Sequence, residues 1–123
     1  MRVGIAEHPP WTILGDQPSG VEVELVKAFA RDLDAEIQWV EGAESEILEQ
    51  IELGRLDLAV AGLTADNPWS SRASFIQPYV TVGADEHVMA VPHGENAWIV
   101  RLERFLRSRH SEIHELLEEQ AQT

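Results

Sequence analysis

The sequence has no cysteine, so disulfide staples, thiolate nucleophiles and thiolate metal ligands are excluded, while the compartment stays open. It is also poor in positive charge: nine Lys and Arg stand against 22 Asp and Glu, for a formal net charge of -13. A phosphate-backbone partner needs a basic footprint, so nucleic acid is not an expected partner; the excess of carboxylates reads as solubility. No apolar run comes near the roughly 18 residues of a membrane span. No leader is expected either, because a strand-like segment starts at Arg2; an exported parent would make this chain a mature or trimmed form.

What is present fits one domain over residues 1–123, with 44% apolar residues and 25% charged ones. The longest nearly unbroken apolar segment is Leu56-Asp57-Leu58-Ala59-Val60-Ala61, bounded by Gly54 and closed by Gly62-Leu63-Thr64. Such a run fits a strand covered on both faces. Its carboxyl end, Thr64-Ala65-Asp66, is where an open α/β sheet places a ligand crevice.

The segments around it supply neighbours. Residues 2–7 read as a first strand, ended by His8-Pro9-Pro10-Trp11. Ser19-Gly20-Val21-Glu22 has capping-box spacing and opens a helix reaching about Leu33, with Val23, Val26, Phe29 and Ala30 on its apolar side. Residues 35–41 alternate as a strand with one wet face, and Ser45 opens a second helix that stops at Gly54. The resulting β-α-β-α-β core over 1–83 implies parallel strands in the order 2-1-3, the wet strand at the edge. The expected fold class is therefore α/β: a three-layer α/β/α sandwich with a mostly parallel sheet and added return strands. A polar loop is expected over 65–77, β-prone pieces at 78–82 and 86–91, and one long helix over 96–119, spanning roughly 35 Å at a 1.5 Å rise. Trp98, Ile99, Leu102, Phe105 and Leu106 mark its apolar side, and Ile113, Leu116 and Leu117 resume it.

Several motifs in order resemble one family. They are Val3-Gly4-Ile5-Ala6 with Pro9-Pro10-Trp11; Gly20-Val21-Glu22-Val23-Glu24-Leu25; Gly54-Arg55-Leu56-Asp57-Leu58; and Ala61-Gly62-Leu63-Thr64 followed eleven residues later by Phe75-Ile76-Gln77-Pro78-Tyr79. Together they resemble the type II periplasmic solute-binding proteins, in the family that binds amino acids and similar solutes for ABC transporters. The resemblance covers lobe one, about residues 2–83; residues 86–123 are similar to the family's final return strand and C-terminal helix. The second lobe, roughly a hundred residues, is missing, and Gly83-Ala84-Asp85 bridges the gap. Natural loss and engineering both stay open as its origin.

The resemblance implies a periplasmic parent protein, a small-molecule solute, an ABC transporter permease as partner, no cofactor and no enzymatic role. It implies Trp11, Thr64, Asp66, Trp69 and Arg72 as ligand-binding candidates. Amino-acid binders of the family carry Arg five residues after the Thr64 position; here that residue is Trp69, and Arg72 comes three residues later. Trp11 and Trp69 then either stack on an apolar, aromatic or cationic solute or pack as core. One lobe cannot close over a solute, so a monomer is expected to bind weakly or not at all. Loss of the second lobe should expose an apolar patch near Trp11, Leu63, Trp69 and Tyr79. The rival reading is a non-binding module that self-associates over that former cleft; an enzyme on the same scaffold is a third.

Other features of the sequence point less far. His110 and His114 have metal-ligand spacing without a clear third ligand, and Glu7 with His8 suggests acid–base chemistry without a nucleophile. Arg101, Arg104, Arg107 and Arg109 crowd the first half of the last helix, and Glu112, Glu115, Glu118 and Glu119 its second half. That order opposes the helix dipole and matches two antiparallel copies, hence an expected homodimer through this helix, with exchanged C-terminal segments as one form. Intrahelical pairing or solvation is the alternative.

Overall fold

The computed structural model describes residues 1–121. In chain order the elements are β1 (Arg2–Ile5), α1 (Val21–Asp32), β2 (Gln38–Glu41), α2 (Glu44–Glu52), β3 (Leu58–Val60), β4 (Ser74–Phe75), β5 (Val80–Val82), β6 (Asp85–His87), β7 (Ala90–Val91), α3 (Asn96–Ser108) and α4 (His110–Ala121). Five strands form one sheet in the order β2-β1-β3-β7-β4, and β5 with β6 forms a separate hairpin. β1 pairs in parallel with both β2 and β3, as the 2-1-3 order requires, and β7 returns antiparallel to β3.

Side-chain polarity explains the order. Val3, Ile5 and all three residues of β3 are buried, while β2 exposes Gln38 and Glu41 and only half-buries Trp39 and Val40. β2 therefore holds the edge. Gly4 faces α2 at close range: a Cβ there would lie 2.6 Å from Leu56 Cδ1 and 3.1 Å from Ile47 Cβ. α2 packs on β1, β3 and β7, and α1 gathers α3 and α4. Among the described residues no helix is long and apolar enough to cross a membrane.

Several boundaries differ from expectation. The second strand begins only at Gln38, because Asp34 turns with positive φ (54°) and Ala35 N–H still donates to Ala30 O. α2 starts at Glu44 rather than Ser45; Glu46 reaches back to the Ala43 N–H at 3.2 Å. The expected 65–77 loop contains β4, and the 86–91 strand is split into β6 and β7.

The largest correction is in the last helix, which breaks at Arg109 (φ -105°, ψ 17°). Ser108 Oγ donates to Phe105 O at 2.6 Å, and the Arg109 N–H reaches Leu106 O, a tighter i−3 bond in place of the α-helical one. The break leaves the phase intact. Leu102, Phe105 and Leu106 on α3 are buried, and so is Ile113 on α4, with Leu116 and Leu117 packed beside it. α4 is thus part of the core, not a frayed tail. Ile113→Ala is expected to cost about 3 kcal/mol; a denaturant melt showing less than about 0.5 kcal/mol would contradict this placement.

Candidate functional site

The crevice lies where β1 and β3 end. After β1 the chain makes a tight turn: His8 N–H donates to Thr12 O at 2.9 Å, and the Trp11 and Thr12 N–H groups return to His8 O. The buried Thr12 hydroxyl donates to Ala6 O, and Glu7 accepts the Leu14 N–H at 2.9 Å. Glu7 therefore braces this loop, which accounts for it without acid–base chemistry.

The same turn starts α1. Val21 N–H donates to Pro10 O and Glu22 N–H to Trp11 O, so backbone carbonyls satisfy orphan donors of the helix start. The capping box expected from Ser19 and Glu22 does not form: Gly20 occupies the cap with no side-chain bond. Glu22 points inward instead and is fully buried. Its carboxylate accepts the Gly62 N–H at 2.9 Å and the Tyr79 hydroxyl at 2.7 Å. Burial pushes its pKa up to about 7, against the opposing pull of the two hydrogen bonds. Tyr79 is half-buried as a residue, but desolvation of its hydroxyl, with the adjacent Glu22 carboxylate adding to it, raises its own pKa. Glu22 thus ties α1, the end of β3 and the segment before β5 together. In the sequence Glu22 reads as a cap; the signal for its burial is that it stands between Val21 and Val23, both core residues.

Trp11 is a core residue, 6% exposed, and its ring stacks on the His87 imidazole at 3.7 Å between centroids. His87, also buried, was not anticipated. Its Nδ1 has no hydrogen-bond partner among the described residues. Burial lowers its pKa, Asp85 opposes that shift, and His8 adds to it. β6 also pairs with the end of the crevice strand: Thr64 bridges His87, Ala65 N–H donates to Glu86 O, and Val88 N–H donates to Leu63 O. The hairpin therefore covers part of the crevice. The expected exposed patch is absent as such: Trp11 and Leu63 are buried and Trp69 and Tyr79 half-buried. Among the described residues the exposed large apolar side chains are Leu53 just after α2, Val82 on β5 and Val100 on α3, in three separate places.

The remaining candidates share one loop after β3. Asn67 Nδ2 donates to Thr64 O at 2.7 Å, and Asn67 Oδ1 accepts the Trp69 N–H at 2.9 Å. Asn67, which sequence reading passed over, therefore shapes the loop. Trp69 Nε1 donates to Glu44 Oε2 at the start of α2, and the Arg72 guanidinium lies 5.8 Å from the Trp69 ring centroid. Thr64 is half-buried, and Asp66 and Arg72 are exposed. The structure thus brings Thr64, Asp66, Trp69 and Arg72 into one loop and sets Trp11 apart, under His87.

Neither the hollow of about 920 Å³ between Gln77–Thr81 and the α3–α4 helices nor that of about 720 Å³ beside α1 and α3 is lined by any of the five candidates. His110 and His114 meet edge to face at 4.5 Å, and no group of three metal-ligating side chains occurs among the described residues.

The arginine-bound domain 1 of TmArgBP superposes with a TM-score of 0.78 at 22% identity, covering 88% of this chain and 91% of that one. The ancestral amino acid-binding protein AncCDT-1, described as a precursor of cyclohexadienyl dehydratase, gives 0.86 at 13% identity over 98% and 94%. A Salmonella typhimurium periplasmic binding protein of high arginine specificity gives 0.83 at 10% identity over 98% of each chain. These likenesses establish the fold. A search among curated protein sequences finds no match. Residues 1–122 match the family model of bacterial extracellular solute-binding proteins, family 3, and the chain belongs to that family as a domain resembling a single lobe.

Proposed function

We propose that this chain is the solute-recognition lobe of an ABC-transporter receptor of the cell envelope, working without the second lobe. Thr64 and Asp66 supply polar contacts, Trp69 an aromatic face and Arg72 a charge for a small polar or aromatic solute, amino acids included. Trp11 supports the crevice from beneath rather than touching solute. In the parent protein the loaded receptor would deliver solute to the transporter permease from the periplasm. The whole chain would act as one domain, the β-α-β-α-β core carrying the site and residues 86–123 bracing it.

One observation carries the reading. The β5–β6 hairpin turns through Gly83 and Ala84 and folds back along Thr64 and Ala65, where the family resemblance puts the second lobe's insertion. A crevice so bounded presents one wall to a solute, and most of the solute's surface stays in water. Binding by the monomer should then fall near 1 mM, about -4 kcal/mol.

Calorimetry against a panel of amino acids and aromatic cations tests this. The expected result is saturable heat for at least one solute, weakened tenfold or more in Thr64→Ala/Trp69→Ala. Silence across the panel at millimolar solute would reject the reading. The module that self-associates over the cleft is disfavoured, because Trp11 and Leu63 are already covered. Exchange of C-terminal segments gains no support from a hairpin that pairs in register within one chain.

A further inference from the structure

The exposed side of α3 and α4 is one continuous stripe. The buried positions Leu102, Phe105, Leu106 and Ile113 keep helical phase across the break at Arg109. The solvent side therefore also continues, from the exposed Arg101 and Arg104 through Ser108 and Ser111 to Glu115 and Glu118. Charge on it is segregated. Arg101, Arg104 and Arg107 make no ion pair among the described residues; Arg109 pairs with Glu112 of its own chain at 3.1 Å.

The stripe has a symmetry centre between Arg109 and His110. Counted outward from that point, Ser108 matches Ser111, Arg104 matches Glu115, and Arg101 matches Glu118. A two-fold axis through the centre, relating two antiparallel helices, sets every member of these pairs against its opposite. Serine meets serine at the crossing, where small side chains allow close approach. Arginine meets glutamate on both sides, four times in the dimer. Val100 falls opposite the aliphatic stem of Glu119. Hollows lie on both sides of the stripe, one lined by Arg101, Arg104 and Ser108, the other by Arg107 and His114, leaving room for the long side chains of a second copy.

We propose that this stripe is a self-complementary interface for a second copy of the chain, packed antiparallel about a two-fold axis between Arg109 and His110. No crevice residue takes part, so the interface stands or falls independently of solute binding. Each exposed Arg–Glu pair contributes little, and the chain carries net charge -13. The dimer is accordingly weak, and its salt response has a definite sign. Association driven by local opposite charges weakens as salt rises, whereas association limited by overall repulsion strengthens.

Sedimentation of two charge-reversed variants decides the matter. One is Arg101→Glu/Arg104→Glu and the other Glu115→Arg/Glu118→Arg; all four positions are exposed. Each alone places like charges opposite one another and should sediment as a monomer where the parent dimerises at low salt. Mixed, they are complementary at every pair although both remain net negative. The expected result is a heterodimer at least tenfold tighter than the parent dimer, lost at 0.5 M salt. A mixture that stays monomeric overturns the proposal. So does equal pairing of the first variant with Glu49→Arg/Glu52→Arg, which moves the same charges to the exposed side of α2.

Discussion

At pH 8, Glu22→Gln should be more stable than the parent by about 3 kcal/mol, although it alters a buried side chain with two hydrogen bonds. The folded pKa of Glu22 is raised from 4.5 to about 7. Between those values the native state holds a proton that the unfolded chain has released, so stability falls as pH rises through this window and levels off above it. Gln resembles the protonated acid in shape and carries no charge to desolvate. Below pH 4.5 the two proteins should agree within about 1 kcal/mol. His87 acts in the opposite sense. Its folded pKa is lowered from 6.5, so its contribution is present above that value and is lost as pH falls below it. The parent's own pH profile therefore mixes two opposed slopes, and the difference between variant and parent isolates Glu22. Urea melts at pH 4 and pH 8 measure it. Parallel profiles would mean that Glu22 is not a buried carboxylate near neutrality.

The sheet was legible because each strand's polarity records its place. The wet face of β2 and the fully apolar β3 fix the order around β1 with local information alone. Glu22 was not legible for the complementary reason. Its partners Gly62 and Tyr79 lie 40 and 57 positions away, while the nearby Ser19 offers a local pattern that mimics a cap. The break at Arg109 was hidden because the apolar period runs through it in phase; Ser108, free to bond back to Phe105 O, was the only local hint. The covered crevice was hidden too. Nothing local in His87 says that its ring will stack on Trp11, so Trp11 read equally well as cleft or core. Thr64, Asp66, Trp69 and Arg72 are close in sequence, and Asn67 holds Thr64 and Trp69 in one turn.

Two glycines at the crevice separate backbone conflict from side-chain conflict, and Gly20→Ala should be by far the worse substitution. Gly20 has φ 114° and ψ 173°, a region open essentially to glycine alone. A Cβ there would meet Trp11 O at 2.6 Å and Pro10 O at 2.9 Å. Those two carbonyls accept the Glu22 and Val21 N–H groups that start α1, so neither can retreat without opening the helix start. Strain and clash together should cost about 4 kcal/mol. Gly62, with φ 63°, lies in the ordinary left-handed region, where an alanine costs roughly 1–2 kcal/mol. Its Cβ would meet His8 Cγ at 2.8 Å and His8 Cβ at 3.1 Å; His8 is exposed, so its ring can swing into solvent, and its Cβ must give by only a few tenths of an ångström. Gly62→Ala should therefore lose about 1.5 kcal/mol and keep the Trp11 environment. Gly20→Ala should also shift Trp fluorescence, because moving the 8–12 turn disturbs the Trp11–His87 stack. Equal losses for the two variants in denaturant melts would show that the Pro10 and Trp11 carbonyls are free to move, and that this turn does not lock the first helix to the crevice.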